Sequence, residues 1–186
     1  TAWKYRFPTI LLGDGYLGKM KEAVSINKLI RPIKIEPILK EESEPTFLRN
    51  CYSSEEEFNQ YLNKNIADWK KMVPKVVESE TYKTSDAKIL VISHGLVSEA
   101  ARDAVDIKRA EGVKVGLFRP ITLHPMDGKS LRKVATRASK IYIVEAALNQ
   151  FSRIVKYELY GSRVPIVEIS KPACGFTAEE IAKLLK

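Results

Sequence analysis

Four side chains in the C-terminal half of the sequence have the chemistry for acid–base or anion work. They are His94 in VISHGLVSEA, Arg119 in GVKVGLFRPITLHP, Glu145 in KIYIVEA and Lys171 in EISKPACG. An imidazole titrates near neutrality and serves as a general acid or base; a histidine that only hydrogen-bonds at a strand end leaves the same trace. An arginine offers a planar fork to a phosphate or carboxylate, and the same fork pairs with a glutamate such as Glu145 inside a protein. Cys174 and Gly175 precede a helix, where a thiol is acidified, but no base or resolving cysteine accompanies them. His124, before Pro125, reads as a loop residue above the following helix. VISHGLVSEA holds one glycine where a dinucleotide fingerprint needs three, and the sequence has no Walker A, GxSxG or HExxH stretch. The residues by themselves therefore assign no catalytic group and no metal ligand. They leave His94, Gly95, Arg119 and Lys171 as candidates for contact with a cofactor.

What would bring these residues together is a regular alternation of strands and helices from residue 86 onward. AKILVIS (87–93), VKVGLF (113–118), KIYIVEA (140–146) and RVPIVEIS (163–170) are apolar runs of strand length. Between and after them lie helical patterns over 97–112, 128–139, 149–161 and 177–186. Gly112 fits a helix C-cap, and Thr177 with Glu180 fits a capping box. Strands apolar on both faces and separated by helices predict an α/β fold with three layers, α/β/α, around a mostly parallel sheet. Ligands of such sheets meet the carboxyl ends of the strands. His94-Gly95, Arg119-Pro120, Glu145 and Ser170-Lys171 are the four strand ends, and Pro120 fixes a corner.

The first 82 residues are less regular. FPTILLGD (7–14) predicts a strand, but a lone strand cannot bury both faces, so it is expected to close a domain that lies elsewhere. Residues 19–53, with Pro32, Pro37 and Pro45, predict an extended linker. SSEEEFNQYLNKNIADWKKMV predicts a helix started by a Ser54/Glu57 capping box and stopped at Pro74. Its apolar face of Phe58, Tyr61, Leu62, Ile66 and Trp69 calls for something to pack against. The domain division expected is 1–18, 19–82 and 83–186.

Composition narrows the class. Hydrophobic residues make up 45% of the 186 and charged residues 29%, a balance that excludes a disordered chain. No apolar run spans a bilayer and no leader is visible, which predicts a cytoplasmic protein with no membrane partner. The two cysteines, Cys51 and Cys174, are too few for a disulfide framework or a metal cluster. Residues 83–186 carry 18 Lys and Arg against 11 Asp and Glu, and residues 1–82 carry 13 against 12. The basic excess suits an anionic partner. The lysines are scattered rather than blocked, which argues against nucleic acid.

KYRFPTILLGDGYLGKM, SDAKILVISHGLVSEAARDAV, AEGVKVGLFRPITLHPMDGKSL and KIYIVEAALNQFSRIV resemble the C-terminal part of the α subunit of 2-oxoacid:ferredoxin oxidoreductases. The types most like them act on 2-oxoisovalerate or 2-oxoglutarate. Where the family carries a glycine before the glutamine of its third-strand turn, this chain has Glu145-Ala-Ala-Leu-Asn149-Gln150. The resemblance implies that residues 1–18 end a domain of the thiamine-diphosphate-binding type and that 83–186 form a transketolase C-terminal-like domain. It implies a holoenzyme that decarboxylates a 2-oxoacid with thiamine diphosphate, Mg2+, iron–sulfur clusters and coenzyme A. The β, γ and possibly δ subunits and ferredoxin would be its partners. It carries no catalytic residue onto this stretch, so the chain alone is expected to be inactive, to bind none of these cofactors and to serve assembly. Two other readings stay open: the C-terminal domain of a transketolase-like or E1β thiamine enzyme, and an independent coenzyme A or nucleotide module using the His94, Arg119 and Lys171 edge.

Overall fold

A computed structural model describes residues 1–21, 23, 25 and 49–186. The chain divides into two compact units, 1–76 and 77–186.

In the second unit the alternating pattern folds as expected. Five strands, β1 (Ser79–Tyr82), β2 (Ile89–Ile92), β3 (Val115–Pro120), β4 (Lys140–Glu145) and β5 (Ile166–Ser170), lie in the order β1-β3-β2-β4-β5. β2, β3, β4 and β5 run parallel and β1 is antiparallel to β3. Four helices, α3 (Gly95–Ala110), α4 (Gly128–Ala135), α5 (Gln150–Glu158) and α6 (Ala178–Leu184), cover the sheet. The pleat sorts the side chains between two cores. Leu90, Ile92, Phe118, Ile141 and Ile143 pack with Leu131 and Val134 of α4 and Phe151 and Val155 of α5. Val91, Val115, Leu117, Tyr142 and Val144 pack with Ala101, Ala104 and Val105 of α3 and Ile181 of α6. Every central strand is thus buried on both faces, the reason its sequence is a continuous apolar run.

The Gly112 and Thr177 caps form where the sequence placed them. Thr177 Oγ1 accepts from the Glu180 N–H at 3.2 Å, and the Glu180 carboxylate accepts from the Thr177 N–H at 3.0 Å. Gly112, at φ +83°, follows α3 and donates its N–H to the Arg109 carbonyl at 3.0 Å. Asp127 caps α4 by accepting from the Ser130 N–H at 3.0 Å.

Several expectations change. β1 was not foreseen: Ser79–Tyr82 lies inside the stretch read as linker and helix, and the α/β unit begins at 77 rather than 83. Its residues are polar or half-exposed because it is an edge strand, so no apolar run marks it. β3 continues through Arg119 and Pro120 instead of stopping at Phe118, because β1 pairs with both.

In the first unit, α1 (Ala2–Tyr5) is followed by a 3-10 turn over Leu17–Lys19, and α2 covers Glu55–Val76. The strand expected over 7–14 does not form; no strand among the described residues of this unit is there to complete its hydrogen bonds. α2 continues two residues past Pro74, which removes an N–H but does not end the helix so near its last turn. The Ser54 hydroxyl caps α2 by accepting from the Glu57 N–H at 3.2 Å. The return half of the box goes one residue upstream: the Glu57 carboxylate accepts from the Ser53 N–H and from Arg49. Most of the linker expected over 19–53 lies outside the described residues.

Candidate functional site

The connections leaving β2 and β4 turn to opposite faces of the sheet, β2 into α3 and β4 into α5. The crevice of an open α/β sheet opens at such a reversal, outside the carboxyl ends of the two strands. Here those ends carry Ser93-His94-Gly95 and Glu145, because Ile92 is paired with Ile143.

His94 lies on the α5 side, its ring centroid 4.5 Å from that of Phe151. Burial pushes its pKa below the usual imidazole value, and the neighbouring Glu145 charge offsets that only in part. Glu145 is 1% exposed. Its two oxygens accept from the Phe151 and Ser152 N–H groups, each at 3.0 Å. The carboxylate thus fills the positive end of α5 and compensates for Asn149, which sits at the N-cap in a left-handed conformation without capping through its side chain. Asn149 instead accepts from the Ser170 hydroxyl at 2.7 Å, tying the β4–α5 turn to the end of β5.

Arg119 does not reach Glu145. The two face opposite layers: Glu145 continues the Ile141/Ile143 face, and Arg119 the Val115/Leu117 face. Arg119 Nη1 lies 2.9 Å from Glu99 of α3 and 3.3 Å from Glu80 of β1. Lys171 Nζ donates to both oxygens of Glu180 at 2.9 and 3.0 Å and stands over the Phe176 ring. His124 lies in the turn between β3 and α4. The four candidates therefore share one rim of the sheet but not one site: His94 belongs to the α5 side, Arg119 to the α3 side, and Lys171 to the start of α6. Gly95, at φ +59°, opens α3. Sequence reasoning passed over Ser93, whose hydroxyl is fully buried and makes no hydrogen bond. Only its place at a strand end could have drawn notice.

No group of three or more His, Cys, Asp or Glu among the described residues is arranged to hold a metal ion. Cys51 and Cys174 are both exposed and free.

Residues 87–180 match the model of pyruvate:ferredoxin oxidoreductase core domain II. The chain belongs to this family. Among the relatives of this domain II chain is the ketoisovalerate oxidoreductase subunit VorB of Methanothermobacter marburgensis, 33% identical over 171 residues covering 83% of this chain and 45% of the relative. The 2-oxoglutarate synthase subunit KorA of the same organism is 26% identical, covering 80% of this chain and 48% of its own length. The chain thus spans about half the length of the curated relatives it matches. In fold, the domain II chain is similar to a 2-oxoglutarate:ferredoxin oxidoreductase from Magnetococcus marinus solved with 2-oxoglutarate, coenzyme A and succinyl-CoA bound. That match has a TM-score of 0.63 and 20% identity over 72% of this chain and 23% of the other. A split-gene transketolase, an inactive β4 tetramer, matches with a TM-score of 0.50 and 16% identity over 57% of this chain and 39% of the other. Both matches show an α/β fold shared with this unit, one of them in a transketolase, as the resemblance implied.

Proposed function

We propose that this chain is the C-terminal part of the α subunit of a cytoplasmic 2-oxoacid:ferredoxin oxidoreductase and that its role there is assembly. The holoenzyme reaction would join a 2-oxoacid and coenzyme A into acyl-CoA and CO2 and pass two electrons to ferredoxin, with one proton released. The observation that carries the reading is the strand-end rim. Glu145 is engaged by the α5 backbone, Arg119 by Glu80 and Glu99, and Lys171 by Glu180. Glu145, Arg119 and Lys171 are thereby engaged within the domain, which supports a structural rather than a catalytic part for them.

Thiamine diphosphate with Mg2+ supplies the carbanion chemistry of such enzymes when bound, iron–sulfur clusters carry the electrons, and coenzyme A takes the acyl group. This chain's residues do not fit the first two. The sequence has two cysteines, short of the four of an all-thiolate cluster, and among the described residues no three His, Cys, Asp or Glu come together to complete a mixed one. The described residues offer no carboxylate cluster for Mg2+. Those groups would reside on the rest of the α subunit and on the β, γ and possibly δ subunits. The exposed run Ile10-Leu11-Leu12 supports reading residues 1–18 as the end of a preceding thiamine-diphosphate-binding-type domain, where they would gain strand neighbours. The basic excess of residues 83–186 supports an acidic partner such as ferredoxin.

The test is release of labelled CO2 from carboxyl-labelled 2-oxoisovalerate and 2-oxoglutarate, with thiamine diphosphate, Mg2+, coenzyme A and ferredoxin present. The 186-residue chain alone should give none, and turnover should appear when the remaining subunits and the upstream α segment are added. Release by the chain alone would refute the assembly role. Micromolar coenzyme A binding by the chain alone would favour an independent binding module instead.

A further inference from the structure

The strongest unexplained feature is the corner where β2 enters α3. Helices begin with N–H groups that need acceptors. α2 has Ser54, α4 has Asp127, α5 has Glu145 and α6 has Thr177. α3, sixteen residues long, has no side-chain acceptor: its N-cap is His94, whose ring packs on Phe151 instead. Gly95 at its start is exposed. The same corner holds Ser93, fully buried with an unpaired hydroxyl. Strand alternation puts Ser93 on the Val91 face, the face that α3 covers, two residues before the helix starts. Leaving a hydroxyl unpaired there is unfavourable, and an acceptor that enters as the corner opens beside the exposed Gly95 would relieve it. The next strand adds a cation on the same face. Ser93 follows the Ile92–Phe118 pair and donates its N–H to the Phe118 carbonyl at 3.3 Å, so its neighbour across the ladder is Arg119. The Arg119 guanidinium reaches Glu99 on the second turn of α3. Glu145 is not a competitor, since it lies on the other face.

We propose that this corner is a phosphate site, formed by the Ser93 hydroxyl, the first backbone N–H groups of α3 and Arg119, with the phosphate displacing Glu99 from Arg119. A hydroxyl, a helix N-terminus without a side-chain cap and an arginine, here held by Glu80 and Glu99, are the donor set that phosphate oxygens take. The site does not depend on the subunit reading above. It is separate from the Lys171 and Glu180 pair and needs neither His94 nor Glu145 as a ligand.

The probes are sodium phosphate and methyl phosphate, titrated into the 15N-labelled full chain, with sodium chloride at matched ionic strength as reference. The Gly95, Leu96 and Val97 amides should shift saturably in the millimolar range. The capped starts of α4 and α5, at Ser130 and Phe151, should stay still. Response to both probes assigns a phosphate ester as the natural ligand class, and response to inorganic phosphate alone assigns the free ion. Ser93→Ala removes no hydrogen bond, so it should fold normally, yet weaken phosphate about tenfold or more, the worth of a hydrogen bond to a charged group. Arg119→Gln should weaken it likewise, and Glu99→Gln should strengthen it. Shifts that chloride reproduces, shifts absent at 50 mM phosphate as an order-of-magnitude ceiling, or unchanged affinity in folded Ser93→Ala would overturn the proposal.

Discussion

At the residue scale, His94 is a half-buried imidazole packed on a phenyl ring and felt by the charge of a buried carboxylate. Its ring centroid is 4.5 Å from that of Phe151, and burial lowers its pKa more than Glu145 raises it. The folded state therefore takes up the proton later, as pH falls, than an unfolded chain whose histidine titrates near about 6.5. Between those two values the unfolded state binds more protons, so stability drops as pH falls through the unfolded pKa and levels off below the folded one. The carboxylates with lowered pKa values, Asp106 and Asp127 among them, lose their contribution only at more acid pH, so they do not confuse this window. Urea unfolding at pH 7.5 and pH 5.5 should show the lower midpoint at the acid end. In His94→Gln that difference should shrink. An equal difference in the variant would mean that another group carries the effect. The residue and its strand-end position were legible in the sequence. Its environment was not, because Phe151 lies 57 residues away and meets it only through the parallel pairing of β2 and β4.

At the element scale, the central strands and their helices were readable because both their faces are buried, which leaves an uninterrupted apolar run. β1 was not, because an edge strand of four residues with polar side chains looks like a loop. That omission also hid the partner of Arg119: Glu80 stands opposite it in the β1–β3 register. Which layer each charged residue faces was equally hidden, and it is what separates Arg119 from Glu145. The same elements explain the glycine inside VKVGLF. A Cβ on Gly116 would stand 2.7 Å from the Lys83 carbonyl oxygen and 2.9 Å from Thr84 Cα, backbone atoms that cannot rotate away. The β1–β2 turn, where Lys83 has φ +50°, is laid against β3 at this point. Arg109 holds the same turn by donating to the Lys83 and Val115 carbonyls at 2.7 and 2.6 Å. Gly116→Ala should cost about 1–3 kcal/mol, the usual penalty of overpacking. Gly175→Ala, with no atom within 4 Å of the added Cβ, should change stability by under about 1 kcal/mol. Chemical denaturation of the two variants decides it, and equal effects would remove the close approach as the reason for Gly116.

At the scale of the whole molecule, the two units differ in how they treat apolar surface. The second closes both of its cores, and its strand-end charges are paired. The first leaves Ile10 83%, Leu11 96% and Leu12 70% exposed, with Phe58, Tyr61, Leu62 and Ile66 of α2 also exposed. Exposed apolar side chains in this number on a free protein promote association unless something covers them. The relatives are about twice as long as this chain, which leaves ample polypeptide for a cover in the assembled enzyme. In its absence the chain should self-associate through this run, and Leu11→Asp should weaken that association. Because Leu11 is already exposed, the substitution should leave folding stability within about 0.5 kcal/mol. Sedimentation velocity across a concentration series reads the first effect and urea unfolding the second. If Leu11→Asp self-associates as the parent does, the run is not the uncovered interface. If it also unfolds the protein, Leu11 is buried in solution and the assembly argument loses the surface it rests on.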